Sequence, residues 1–253
     1  MQSKIVTVAI HKGGTGKTTA AVNLSWLAQE RGISCLMIDL DIQGNATDNF
    51  IKVSCDQHLN ASHLFNEDLP ELPAISVLNG LDLIPADAGL LAVERYPMSA
   101  SDFFKTNLNS LATRYDLIVI DTPPTMGFAM LAPLTISDFT FAPIIPDAYS
   151  LKGVTTLVNR IKNIRAQHNK DLLFLGLLIN RFSKRNAAQK QVVSALKENL
   201  GDFVMPISIP EHVHIEYSAH SKCAVWHAPQ SGAHRAAGKT VKAVMGWILD
   251  SVL

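Results

Sequence analysis

Seven residues near the start of the chain, Lys12-Gly13-Gly14-Thr15-Gly16-Lys17-Thr18, restrict its fold more than any other feature. Before them runs KIVTVAI at 4–10, β-branched and almost wholly apolar, as a strand buried on both faces must be. After them a helical stretch extends over 17–31 and is closed by Gly32. Three glycines between strand and helix let successive backbone N–H groups turn inward, and the helix adds the partial positive charge of its N-terminus. Such a junction cradles phosphate. Lys17 is placed to neutralise β- and γ-phosphates and the Thr18 hydroxyl to ligate Mg²⁺. The expected contacts are Gly13, Gly14, Thr15, Gly16, Lys17, Thr18 and Thr19. The usual G-x-x-x-x-G-K-[ST] pattern is nevertheless broken, because its first glycine falls at His11 and a lysine, Lys12, stands directly before the paired glycines.

Strand-like segments at 34–40, 81–85, 116–120, 139–145 and 172–179 alternate with helical ones at 99–114, 151–167 and 186–199. Ser99 with Asp102, and Asn186 with Gln189, stand at capping-box spacing. This alternation argues for an α/β fold, a mainly parallel twisted β-sheet with helices on both faces. Residues 53–78 are polar, contain two prolines and keep no firm period, so they read as a surface excursion. Without repeats or linker-like tracts, 1–253 reads as one domain.

Composition excludes several classes. Lys and Arg number 22, as do Asp and Glu, so the chain is no uniformly basic nucleic-acid binder, and any DNA contact must come from a local patch. Cys35, Cys55 and Cys223 lie far apart with no CxxC pair, which fits idle thiols in reducing surroundings. The first strand begins almost at Met1, leaving no room for a signal peptide, and no apolar run reaches membrane-spanning length. The expected location is cytoplasmic.

Two further segments bring carboxylates to the C-terminal ends of strands, where open parallel sheets bind ligands. In Asp39-Leu40-Asp41-Ile42-Gln43-Gly44-Asn45, two acids two residues apart share a face of an extended chain, ready to serve a magnesium ion and a water. Alone this is an ordinary acidic turn; beside the glycine loop it points to phosphate chemistry. In Leu117-Ile118-Val119-Ile120-Asp121-Thr122-Pro123-Pro124, an apolar strand delivers Asp121 towards Mg²⁺.

Together these residues resemble the ParA/MinD family of deviant Walker ATPases, whose loop reads K-G-G-x-G-K-[ST], whose second motif is D-x-D-x-Q-G-N and whose switch II carries D-x-P-P. The likeness continues through Pro143-Ile144-Ile145-Pro146-Asp147-Ala148-Tyr149-Ser150-Leu151-Lys152-Gly153, similar to the family's P-x-x-x-E-x-x-x-L-x-G stretch. It runs from about residue 4 to the C-terminus and lacks the N-terminal helix-turn-helix extension of the longer plasmid members, so it resembles the short, chromosomal-type proteins. The resemblance implies a P-loop NTPase with ATP and Mg²⁺ that hydrolyses ATP slowly and as a dimer. Lys12 becomes the signature lysine, reaching across an ATP-sandwiched dimer to the phosphates bound by the other subunit. A cation supplied in trans makes hydrolysis depend on dimerisation. Asp41 is implied to orient or activate the attacking water, so the catalytic set is Lys12, Lys17 and Asp41. Thr18, Asp39, Asp41 and Asp121 form the implied magnesium shell, and Asn180 and Pro210 match positions that flank the adenine.

The same resemblance implies a homodimer on ATP binding, non-specific DNA binding on the nucleoid, and a ParB-like or cargo-adaptor protein that stimulates hydrolysis. One segment departs from it. The family often reads I-P-R-N-V-R, whereas Ile209-Pro210-Glu211-His212-Val213-His214 puts an acid and a histidine at the arginine places, and each lost phosphate contact weakens binding. Lys184, Arg185, Lys222 and Arg235 remain as DNA candidates. A MinD-like membrane-positioning ATPase is the nearest alternative and would lay its last helix on a membrane. Here residues 238–253 carry few cations and one acid, Asp250, which favours packing on the sheet. An iron–sulfur electron donor sharing the loop needs cysteines after the Asp121 strand, and none occurs between Asp121 and Asn180. A non-hydrolysing nucleotide-gated binder would leave Lys12 and Asp41 dispensable.

Overall fold

Apolar runs without alternation need a sheet covered on both sides. A computed structural model describes residues 3–51, 57–147, 150–212, 215, 222–227 and 232–253, and in it such a sheet forms. Its strands are β1 (Lys4–Val8), β2 (Cys35–Asp39), β3 (Ile75–Leu78), β4 (Leu81–Ile84), β5 (Leu117–Asp121), β6 (Phe139–Ile144), β7 (Leu173–Phe182) and β8 (Val204–Pro210). They lie in the order β3-β4-β2-β5-β1-β6-β7-β8. Every neighbouring pair is parallel except β3 with β4. Among the described residues the α-helices are α1 (Lys17–Glu30), α2 (Asn45–Phe50), α3 (Leu90–Val93), α4 (Ser101–Ala112), α5 (Phe128–Leu134), α6 (Ser150–Gln167), α7 (Ala187–Leu200) and α8 (Gly232–Val252).

Successive residues of each central strand go to opposite faces. On one face Val6, Val8, Met37, Leu117 and Val119 pack with Leu24 of α1 and Val244 and Ile248 of α8. All three tryptophans, Trp26, Trp226 and Trp247, lie against this cluster. On the other face Ile5, Leu36, Ile38, Ile118 and Ile120 meet Phe104 and Leu108 of α4 and Phe128 of α5. Val154, Leu157 and Ile161 of α6 and Leu196 of α7 continue that layer over β6 and β7. Helices thus cover both faces, as the strand–helix alternation requires. The apolar side of α8 (Val241, Val244, Met245, Ile248, Val252) is buried on the sheet and on α1, and no helix among the described residues is long and apolar enough to cross a membrane.

Three local expectations need correction. Residues 53–78 are no mere excursion, although 52–56 lie outside the described residues. Leu59, Leu64 and Phe65 are fully buried, Phe65 stacks on Phe104 with ring centroids 4.8 Å apart, and Ile75–Leu78 forms the antiparallel edge strand. The Ser99–Asp102 capping box does not form either. A 3₁₀ turn occupies Met98–Ala100, and α4 starts after it at an Ala100 N-cap with no side-chain hydrogen bond. At α7 the box is half made: the Asn186 side chain accepts from the Gln189 N–H at 3.2 Å, but the Gln189 amide turns to Ser183 N and Arg181 O instead.

One position shows how closely the sheet edge is built. Gly176 of β7 has φ +119°, and a Cβ there would stand 2.6 Å from the carbonyl oxygen of Phe203. Gly176→Ala is therefore expected to destabilise the fold by about 2–4 kcal/mol, from backbone strain and overpacking together. Urea unfolding checks this as a lower midpoint at unchanged slope; a midpoint equal to wild type would mean that β7 and Phe203 separate at no cost.

Candidate functional site

The loop after β1 is bent by Gly14 (φ +70°) and Gly16 (φ +99°), both in the left-handed region that glycine enters freely. Gly16 is the N-cap of α1, where no side-chain cap and no first-turn acid competes for the free N–H groups. The strand end of β7 presses on this turn: Asn180, buried, donates from Nδ2 to Thr15 O at 2.7 Å. A Cβ at Gly16 would lie 2.2 Å from that same nitrogen. The Thr122 hydroxyl donates to Val8 O at 2.8 Å, tying the end of β5 to the end of β1.

Lys17 is buried, and its ammonium donates to Lys12 O at 3.4 Å. Burial lowers its pKa from the ordinary lysine value, while the nearby charges of Asp121 and Asp41 work in the opposite direction. The carboxylates sit where three adjacent strands end. Asp39 of β2 faces Asp121 of β5 in the register, and Asp121 faces Val8 of β1. Both are completely buried. Burial and the charges of its neighbours Asp39 and Asp41 push the Asp121 carboxyl up to about 8, although Thr18 and Lys17 lower it. Asp39 is pushed up to about 6 by burial, less far because hydrogen bonds stabilise its charge.

Those hydrogen bonds divide the acids by role. Asp39 Oδ2 accepts from both the N–H and the hydroxyl of Thr47 at 2.8 Å, and Oδ1 accepts from Asp41 N at 3.1 Å. Asp39 thereby organises the loop that carries Asp41 into α2. Asp41 Oδ1 accepts from Gln43 N at 3.1 Å. Neither buried oxygen of Asp121 accepts a hydrogen bond of ordinary geometry. A buried carboxylate left that way is costly without a cation.

A cavity of about 420 Å³ opens over these groups, lined by Gly13, Gly14, Gly16, Lys17, Thr18, Thr19, Asp41 and Arg181, among others. A smaller recess of about 130 Å³ adjoins it, bounded by Gly16, Thr19, Asn180, Arg181 and Pro210. The fold thus brings the glycine loop, Lys17, Thr18, Asp41 and Asp121 together, with Asn180 and Pro210 at one side. Lys12 stands apart. It lines a separate cavity of about 280 Å³ with Ile144, Ile145 and Ser150, and its ammonium pairs with Asp147.

The four DNA candidates do not gather. Lys184 and Arg185 are exposed on the approach to α7. Lys222 donates to Ile51 O at 2.6 Å, and Arg235 lies on α8, on the other face of the sheet. Glu211 lines the smaller recess, while Val213 and His214 lie outside the described residues. Sequence reasoning missed Arg181, whose φ of +53° turns it where it lines both cavities; nothing marks an arginine at the end of an apolar strand. It also missed Thr47, which a search for partners of Asp39 one helical turn beyond the motif would have found. Cys35 is buried with its thiol pushed up to about 12 by burial, and no group of three or more His, Cys, Asp or Glu able to hold a metal exists among the described residues.

Comparisons with known proteins agree with this geometry. The AAA domain family model matches residues 3–174. The chain is 32% identical over 253 residues to protein IncC of Escherichia coli, covering 98% of this chain and 70% of that one. It is 31% identical to the chromosome-partitioning ATPase Soj of Thermus thermophilus, covering 90% of each chain. Among solved structures, cobyrinic acid a,c-diamide synthase of Mycobacterium smegmatis, with bound ADP and magnesium, superposes with a TM-score of 0.79. At 22% identity over 98% of this chain and 94% of that one, this likeness speaks for the fold alone.

Proposed function

The chain belongs to the ParA/MinD family of P-loop ATPases, and from that premise we propose that it forms an ATP-sandwich dimer whose hydrolysis drives partition of a plasmid, chromosome or protein cargo. The observation that carries the reading is the placement of the two loop lysines. Lys17 is buried over the phosphate cradle, whereas Lys12 lies outside that cavity, lines the neighbouring one and has its ammonium paired with Asp147. A lysine so placed serves its own subunit's phosphates poorly and a second subunit's well.

The orphaned carboxylate of Asp121 fits a divalent cation, with Thr18 as a second oxygen donor from the loop. Magnesium, when bound, neutralises charge on the β- and γ-phosphates. The backbone N–H groups of residues 13–18 hold the phosphates, and Lys17 neutralises them. Asn180 and Pro210 bound the base. Asp41 orients a water and takes its proton as the water oxygen bonds to the γ-phosphorus and the bond to the β-phosphate oxygen breaks, leaving ADP and phosphate. Lys12 of the other subunit stabilises the charge that develops. The dimer binds duplex DNA without sequence preference on the nucleoid, and a ParB-like or cargo-adaptor protein accelerates hydrolysis and resets it. A membrane-lying alternative needs the apolar side of α8, which is spent on the core.

Asp41→Ala is expected to retain ATP, to lose about 10²–10⁴-fold in turnover as a removed general base does, and to accumulate dimer with ATP and Mg²⁺ in analytical ultracentrifugation. A variant that turns over normally and stays monomeric with ATP would remove Asp41 from this role and the closed dimer from the cycle.

A further inference from the structure

The zero net charge of the chain conceals a steep internal division. Residues 150–200, which form α6, β7 and α7, hold ten of the 22 Lys and Arg but only two of the 22 Asp and Glu. Ion pairs elsewhere in the chain join Lys4 to Asp138, Lys12 to Asp147, Arg31 to Asp250, Lys105 to Asp102 and Lys242 to Glu30. Among the described residues no such pair is made by Arg160, Lys162 and Arg165 of α6 or by Lys184, Arg185 and Lys190 around the start of α7. All six are exposed.

α6 and α7 pack over β6 and β7 in one apolar cluster, so their exposed sides belong to one face of the molecule. Like charges gathered with few acids repel each other, and a chain with acids to spare has placed only Asp171 and Glu198 in this segment, neither of them on α6. We propose that duplex DNA lies along this α6–α7 face, its phosphates held by Arg160, Lys162 and Arg165 together with Lys184 and Arg185. The inference rests on the DNA-binding reading above and gives it a surface, replacing Lys222 and Arg235. Lys222 is engaged with the Ile51 carbonyl, and Arg235 is on the opposite face.

The rest of the exposed side of α6 chooses among polyanions. Thr155, Thr156, Asn159, Asn163 and Gln167 occupy it, and among the described side chains the only apolar one exposed there is the single methyl of Ala166. A membrane surface needs apolar groups to insert, and single strands need rings to stack on bases. Polar side chains and cations suit the phosphate backbone of a duplex.

The test uses the whole chain with ATP and Mg²⁺, a labelled duplex of arbitrary sequence and a KCl series, with anisotropy as readout. Reversing all three α6 charges (Arg160→Glu, Lys162→Glu, Arg165→Glu) should weaken binding about 10–100-fold and flatten the log–log salt slope by about 2.7, at ~0.9 per lost phosphate contact. Replacing the same three by glutamine, which keeps helix propensity, should flatten the slope equally without added repulsion; circular dichroism and ATP binding report that each variant folds. Arg235→Glu with Lys239→Glu on α8 should leave the slope unchanged. If wild type binds the duplex and the α6 variants keep its slope, the surface is wrong while the DNA reading stands. A wild type that binds no duplex at any salt sinks both, and one that sediments instead with anionic phospholipid vesicles, through the same three residues, overturns the choice of partner.

Discussion

Lys12→Ala is expected to bind ATP about as well as wild type and yet to hydrolyse it at least ~10³-fold more slowly, the scale of a cation supplied in trans to phosphoryl transfer. The fold should survive. Lys12 is half-exposed, and its pair with Asp147 is of the surface kind, contributing about 1 kcal/mol or less. Steady-state turnover and equilibrium ATP binding check the two halves of the expectation, and ultracentrifugation with ATP should show the loss of dimer. A mixing experiment separates trans from cis action. Lys17→Ala removes the buried ammonium over the phosphates but leaves Lys12 in place. A subunit carrying it holds ATP poorly and still presents its own Lys12 to a partner. Two inactive variants combined should therefore regain turnover, because the Lys12→Ala subunit supplies the nucleotide and the Lys17→Ala subunit the missing charge. Undiminished hydrolysis by Lys12→Ala alone would sink the trans argument.

The second large effect has opposite signs for stability and activity. Asp121→Asn should make the nucleotide-free protein more stable and the enzyme inactive. Burial pushes the Asp121 carboxyl up to about 8, with Asp39 beside it adding to the rise. Its folded pKa lies above the unfolded one, so folding takes up a proton between the two values. The stabilising contribution is complete below the unfolded value near pH ~4 and is lost as pH rises to about 8. An isosteric amide has no charge to bury, so the loss disappears. At pH 8 the gain should be on the order of 2–4 kcal/mol, raising Tm by several degrees in a chain of this size. Adding Mg²⁺ with ATP should lift the wild-type melting temperature and leave the variant's nearly unmoved. A variant that melts below wild type without nucleotide at pH 8 would show that the carboxylate is satisfied in a way its buried, unbonded oxygens do not reveal.

The parts of the site legible in advance are those whose chemistry is local. A glycine turn between strand and helix, and a carboxylate ending an apolar strand, announce themselves because backbone geometry confines their residue types. That Asp39 and Asp121 each end a strand was legible, but the register that sets one against the other and the division of labour between them were not. That division depends on Thr47, whose two donations to Asp39 are a tertiary matter. Residues 57–78 were misread for a similar reason. Leu59 reaches the core from irregular backbone and Leu64 and Phe65 from one short 3₁₀ turn over Ala61–Phe65, so no sustained period betrays them. The Ser99–Asp102 spacing was present without its box because a 3₁₀ turn intervenes before α4. The cationic excess of 150–200 was countable from the outset and hidden by the zero total, and only the absence of ion pairs at Arg160, Lys162 and Arg165 among the described residues gave it meaning.

The placement of the tryptophans has an optical consequence. All three lie against the cluster beneath α1 and α8, and α6 and α7 carry none. Intrinsic fluorescence therefore watches one side of the sheet. Trp26, in ring contact with Phe50 at 5.4 Å, stands between the helix that follows the phosphate loop and the end of the element that follows Asp41. Nucleotide exchange that moves α2 should be visible there without any label. A ligand arriving at α6 is remote from every indole, so any emission change it produces measures how far its binding is felt through the sheet.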